Sequence, residues 1–416
     1  MLGEKLTVLT ALIAFAGSAA VAAEKKVEIL HMWTAGGEAA AVKVIKDALA
    51  DKGYDWQDVP TTGTQNLNQV LRARVAAGIA PTAAIIHARE IGAWSQEALL
   101  TDLGPLAASR DWKAKISDVI WPYIAEEQSL YAVPTQMHRS NWLWYNKKIF
   151  DENGLTPPTT LEEFKTVGDA LLAKGITPLA IGGQNWQEAA LFDSVLVAVG
   201  GPEFYRKAIV EQDADALSGP IMLKAFEEFR SFGKYIDANY PGRDWNIATQ
   251  MVMNGTAAMQ VLGDYAKGEF VQAGLKADVD YGCIAAPGTA GSYLSVVDTF
   301  GFFASKDPAV TEAQQVMAEV VFSPEVQIGF SQQKGSIPAR MDVDASSLDT
   351  CAQIAFNDRA EAAKAGYVMP SVGHFDAWSP DKTGVFMDVI SSFFEQPEMT
   401  AEQAVEQLNQ GLAFAN

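Results

Sequence analysis

Aromatic and hydrogen-bonding side chains recur together in short, turn-like stretches along the whole chain. HMWTAGGE at 31–38 supplies Trp33, Thr34 and Glu38, GGQNWQE supplies Trp186, GRDWNIA supplies Trp245, and LGDYAKG supplies Tyr265. VVDTFG adds Asp298, QQKGSIPAR adds Lys334, and SVGHFDAW adds His374. Each sits beside a glycine or near a turn, where a side chain can reach a cleft. A sugar asks for this mixture. The apolar face of a pyranose packs on an indole or phenol ring, and its rim of hydroxyls needs carboxylate, amide, imidazole or ammonium partners. Each residue taken singly has a plainer account, since a tryptophan near a turn is more often packing than ligand contact. HMWTAGGE also reads as a capped helix start. The set, not any one member, points to carbohydrate.

Other chemistries leave no trace. IGGQNW and AAGIAP are glycine-containing turns and match neither a P-loop nor a dinucleotide fingerprint. There is no GxSxG elbow and no HExxH helix, and His31, His87, His138 and His374 lack the local spacings of a zinc site. No metal, no cofactor and no catalytic residue are therefore expected. Carboxylates are plentiful, so a periplasmic glycoside hydrolase using a carboxylate pair is the rival from another class.

The elements that would position these residues begin with a strand at Val27–Trp33, a helix near Gly37–Asp51, a strand near Trp56–Pro60, a helix near Leu67–Gly78 and a strand at Ala83–Ile86. That alternation predicts an α/β fold with a mostly parallel sheet. Thr160 with Glu163, and Thr400 with Gln403, have the spacing of capping boxes, and Gly175 marks a helix stop. No Pro/Ser-rich linker divides the chain, so two lobes would be joined by ordered crossings.

Residues 1–23 read as a secretory signal peptide: Lys5, then an apolar stretch to about Ala16, then small residues around Ala20–Ala23. With no cysteine at the cleavage point, no lipid anchor is expected, and the address is the periplasm. The remaining length suggests two lobes. The 31 basic and 51 acidic side chains give a net charge of -20, which phosphate backbones and anionic lipid repel. Cys283 and Cys351 are the two cysteines. In an oxidising compartment they are expected to pair, with two separate buried thiols as the alternative.

Several stretches together match a known pattern: MWTAGGEAAAV, VPTQMHRSNWLWYNKKIF, TPPTTLEEF, GQNWQE, APGTAGSY, VVDTFGFF and QKGSIPAR. From about Val27 to its C-terminus the chain resembles the family 1 extracellular solute-binding proteins of ABC sugar importers, and within them the glucose/mannose-binding subgroup. The resemblance implies a two-lobed periplasmic-binding-protein fold, each lobe a mostly parallel sheet flanked by helices, with a hinge between. The lobes would comprise 24–137 plus 292–337, and 138–291 plus 338–416.

The resemblance puts sugar contacts on Trp33, Glu38, His87, His138, Trp245, Asp298, Lys334 and His374. Thr34 and Tyr265 join the candidate set, the latter where the subgroup has a tryptophan. Gly36 and Gly37 would let backbone approach the ligand. Met32 and Ile85 stand where relatives carry a tryptophan and a glutamine, which predicts relaxed selection among aldoses if Ile85 faces the sugar. In the alternative, Ile85 packs under the sheet end. The expected protein is a monomeric receptor that binds glucose or a related aldohexose and delivers it to membrane permease subunits. A disaccharide or polyol is the nearer rival ligand.

Overall fold

The computed structural model describes residues 25–415, so the leader-like segment 1–23 lies outside the described residues. The first elements follow the expected alternation. Strand β1 (Lys25–His31), a helix at Gly36–Ala50, β2 (Tyr54–Pro60), a helix at Gly63–Ala76 and β3 (Ala83–His87) form a parallel unit. Val27, Ile29 and Leu30 of β1 are fully buried, as a central parallel strand covered on both faces requires. A small hairpin, β4 (Ala125–Glu126) with β5 (Ser129–Leu130), precedes β6 (Ala132–Arg139).

The chain then passes through Ser140 and Asn141 into a second sheet, entering at β7 (Trp142–Asn146). That sheet also holds β8 (Thr177–Leu179), β9 (Ala257–Val261) and β10 (Tyr281–Ala285). The chain returns to the first sheet as β11 (Tyr293–Phe302), followed by β12 (Ile337–Pro338) and β13 (Val368–Pro370). The strand orders are β12-β6-β11-β3-β1-β2, with β13 beside β11, and β10-β7-β9-β8. Of the two hydrophobic cores, one joins the first sheet to Trp142, Trp144 and Tyr281 of the second, and the other gathers Leu143, Met259 and Val261 of the second sheet with Leu294 and Met369 of the first.

The expectation of a mostly parallel sheet in each lobe is corrected: both sheets are mixed. β11 runs antiparallel to β3 and β6, and β7 runs antiparallel to β9 and β10. The crossing strands re-enter the sheets without the helical crossover that a parallel neighbour needs. Pro134 lies inside β6, where a ladder donor is lost. It is tolerated because the register with β11 slips between Asp298 and Thr299, leaving Thr135 as an extra residue. Such a bulge bends the strand and re-aims its side chains.

The expected caps form. Thr400 and Gln403 make a reciprocal box, with Gln403 N donating to Thr400 Oγ1 at 3.2 Å and Thr400 N to Gln403 Oε1 at 2.8 Å. Thr160 Oγ1 accepts from Glu163 N at 3.1 Å, but the Glu163 carboxylate turns one residue back, to Thr159 N at 2.7 Å. Gly175 follows the helix Leu161–Leu172 with a φ of 72°, a left-handed turn that suits glycine. Cys283 of β10 and Cys351 of the helix Thr350–Ala365 are joined in a disulfide with a Cα–Cα distance of 6.0 Å.

Candidate functional site

Strand ends and helix ends converge on a cleft of about 790 Å³. All ten candidate residues line it: Trp33, Thr34, Glu38, His87, His138, Trp245, Tyr265, Asp298, Lys334 and His374. Three of them come from adjacent strands. In the ladder Asp298 of β11 stands opposite His87, the last residue of β3, and Val296 opposite His138 of β6. The cleft therefore opens at the carboxyl ends of the parallel strands, the usual ligand position in open α/β sheets.

Helix ends supply much of the rest. Trp33 and Thr34 precede the helix Gly36–Ala50, and Glu38 lies in its first turn. Trp245 is the first residue of the helix Trp245–Met253, and Tyr265 directly precedes the helix Ala266–Gln272. Lys334 closes the helix Pro324–Lys334, where Gly335 at φ 94° stops it. His374 sits in the turn after β13.

Glu38 does two things at once. Its Oε2 accepts from Thr34 N at 3.0 Å and Ala35 N at 3.2 Å, closing the helix start, while its Oε1 receives Lys334 Nζ at 2.6 Å. HMWTAGGE is thus both a capped helix start and a wall of the cleft. The Lys334 ammonium also lies 5.4 Å from the centre of the Trp33 ring and 5.9 Å from that of Tyr265. Trp33 is mostly core, packed edge-to-face on Phe300 at 5.8 Å, with Phe330 at 5.3 Å. Trp245 packs edge-to-face on Tyr265 at 5.0 Å.

The floor is electrostatic. Gln136 Nε2 donates to Asp298 Oδ2 at 2.6 Å, and His87 Nδ1 and His138 Nε2 each lie 3.5 Å from an Asp298 oxygen. Burial alone would raise the Asp298 carboxyl. The hydrogen bond and charge of His138, with His87 and Lys334, overcome that and hold it well below the usual carboxylate range. Burial opposes charge on His138, yet Asp264, bonded to its Nδ1, and Asp298 together raise its pKa. His374 goes the other way. Burial, then His138 and His87, drive it down to about 3, so it is neutral at ordinary pH.

Sequence reasoning missed Asp264 and Gln136, which orient His138 and Asp298 from behind. Asp264 also accepts from Arg139 N at 2.9 Å. The signal was present in LGDYAKG, where Asp264 adjoins Tyr265. Trp186, which the sequence did single out, lines the cleft as well, together with its unremarked neighbours Gln184 and Asn185. Gly36 and Gly37 do not do what was expected of them. A Cβ on Gly37 would meet the Gly268 backbone at 2.7 Å, so the close approach is between helices and not toward a ligand. Of the two readings of Ile85, the packing one holds: it is 1% exposed, in the core, and opposite Phe300 in the ladder. Met32 does line the cleft. His31, the remaining histidine, is buried against Asp58 at 3.1 Å. Among the described residues no group of three or more His, Cys, Asp or Glu side chains could hold a metal ion, and no helix is long and apolar enough to cross a membrane.

Two lobes around a polar and aromatic cleft, reached by strands that cross between sheets, define a receptor of the two-lobed solute-binding class. The chain belongs to the bacterial extracellular solute-binding protein family, whose model matches residues 34–328. It is 39% identical over 408 residues to a "probable sugar-binding periplasmic protein" of Mesorhizobium japonicum, covering 97% of this chain and 98% of the relative. A protein of the same description from Brucella melitensis is 38% identical over 406 residues, covering 97% and 96%. In fold it is similar to a chitin oligosaccharide binding protein, with a TM-score of 0.79 at 20% identity, over 94% of this chain and 98% of that one. The family and these relatives are solute-binding proteins, not enzymes.

Proposed function

We propose that the cleft holds one aldohexose, glucose or a close relative, and that the protein is the periplasmic sugar-binding component of an ABC importer. The observation that carries this reading is the grouping of Trp33, Trp245 and Tyr265 with the hydrogen-bonding groups of Glu38, His138, Asp298 and Lys334 on one wall system. The rings suit the apolar face of a pyranose, and the polar groups suit its hydroxyls. The names of the relatives support a sugar as the solute. Residues 1–23 act as the export signal, and the protein works as a monomer that docks on permease subunits.

The lobes comprise 24–137 plus 292–337 and 138–291 plus 338–416, except that the end of β6 (through Arg139) and β13 (Val368–Pro370) stay in the first sheet beside β11. The chain crosses between sheets at Ser140–Asn141 and again between Ala285 and Tyr293. Sugar binds one lobe and the hinge closes, because the closed form has the higher affinity. A disaccharide is the second reading. The cleft's 790 Å³ extends past these groups to Thr61–Gln65, Gln184 and Asn185, which favours room for a second unit.

Calorimetric titration with single hexoses and disaccharides tests the reading. The expected result is one-to-one heat with a hexose and no hydrolysis of any glycoside. Small-angle scattering should show compaction on binding. No heat with any common hexose or pentose sinks the monosaccharide reading.

A further inference from the structure

Behind the cleft lies a chain of hydrogen bonds that the binding account leaves unused. Tyr265 Oη is 3.0 Å from His374 Nε2, and His374 Nδ1 is 2.8 Å from Ser371 Oγ. Ser371 Oγ is 2.6 Å from Asp193 Oδ2. Asp193 and Ser371 are fully buried, and Asp193 also accepts from Gly373 N at 3.0 Å and faces the Tyr205 hydroxyl at 3.2 Å.

The directions of these bonds follow from counting hydrogens. Burial raises the Asp193 carboxyl to about 6, so at pH 7.5 it is ionised and only accepts. Two oxygens 2.6 Å apart need a hydrogen between them, so the single proton of Ser371 points to Asp193. Ser371 Oγ can then only accept from His374, which puts the imidazole hydrogen on Nδ1. His374 is neutral, so its Nε2 is a lone pair. The Tyr265 hydroxyl must donate to it. The one proton of Tyr265 is thereby committed away from the cleft.

We infer that the buried Asp193–Ser371–His374 chain fixes the Tyr265 hydroxyl as an acceptor, so that this wall of the cleft selects a ligand hydroxyl that donates. Asp193 and Ser371 are positioning residues. Both nitrogens of His374 are occupied, so it meets the ligand by its carbon edge. This deepens the sugar reading and rests on it only for the identity of the ligand.

Two measurements decide it. In ¹⁵N-labelled, ligand-free protein at pH 7.5, His374 is expected as the neutral Nδ1–H tautomer, and Ser371→Ala should convert it to Nε2–H. A wild-type His374 with Nε2–H, or as imidazolium, overturns the proposal.

D-glucose and its monodeoxy-fluoro analogues provide the second arm, because fluorine accepts but cannot donate. One analogue should bind up to about tenfold more weakly than glucose, the worth of one hydrogen bond. Tyr265→Phe and Ser371→Ala should each bring that ratio to within about twofold, whereas a merely structural defect would weaken glucose and analogue alike. A ratio untouched by Tyr265→Phe overturns the acceptor role. If glucose itself does not bind, the hexose reading fails and the tautomer still decides the hydrogen-bond chain.

Discussion

Lys334 Nζ lies 2.6 Å from Glu38 Oε1, joining residues 296 positions apart at the end of one helix and the first turn of another. The Lys334 side chain is 4% exposed and that of Glu38 14%. Removing one partner strands the other charge. Lys334→Met should lower stability by about 1–3 kcal/mol, less than a fully dry pair would cost, because the cleft wets Glu38. The double variant with Glu38→Gln should lose less than the sum of the two single losses. Urea unfolding of the four proteins measures this, and strict additivity would show that the pair is not coupled.

Trp245→Ala removes an aromatic wall that also holds Tyr265 edge-to-face. Affinity for glucose should fall by about 2 kcal/mol or more, as for other packed aromatic anchors. Titration calorimetry reads the loss, and an unchanged dissociation constant takes Trp245 out of the site.

The Cys283–Cys351 bridge spans a sequence separation of 68 residues. On the chain-entropy account, closing such a loop in the unfolded chain stabilises the protein by roughly 4 kcal/mol. The Cys283→Ala, Cys351→Ala protein should therefore melt well below the parent. Thiol titration of the denatured, unreduced parent should find none, and two thiols per chain would contradict the bridge.

Burial raises the Asp376 carboxyl to about 7, with His87 and Arg89 pulling the other way. An unfolded aspartate titrates near 3.8. Between about pH 4 and 7 the folded chain therefore keeps a proton that the unfolded chain has released. The stability contributed by this group falls as pH climbs through that window and is flat above it. Asp376→Asn stays neutral at every pH. Relative to the parent it should gain about 2–3 kcal/mol between pH 5 and pH 8. Denaturant midpoints at both pH values check this, and an equal difference at both removes Asp376 from the pH dependence.

Ile85→Gln should destabilise the fold by at least about 2 kcal/mol, since its amide would sit unpaired in the core beside Phe300. The ratios of affinities among epimeric hexoses should not move. A sharpened preference for one epimer would restore Ile85 to the cleft.

Much of this molecule was legible in its sequence. The first strands and helices announced themselves by apolar alternation, and the Thr400–Gln403 box by its spacing, because backbone geometry imposes short-range rules. Trp33, Trp245, Asp298 and Lys334 were readable as part of a set of aromatic and polar side chains next to turns, and His87 and His138 only through the family resemblance. How they meet in space was not. That His87, Asp298 and His138 share one floor depends on β3, β11 and β6 lying side by side, a pairing across as many as 211 positions (298 minus 87). The antiparallel entry of β11, the Thr135 bulge, and the turn of Gly37 toward Gly268 instead of a ligand are products of that packing. Ile85 shows the same limit. Two residues before His87 on one strand, it lies on the same face of the pleat but deeper, and only the depth of the sheet decides which of the two meets solvent.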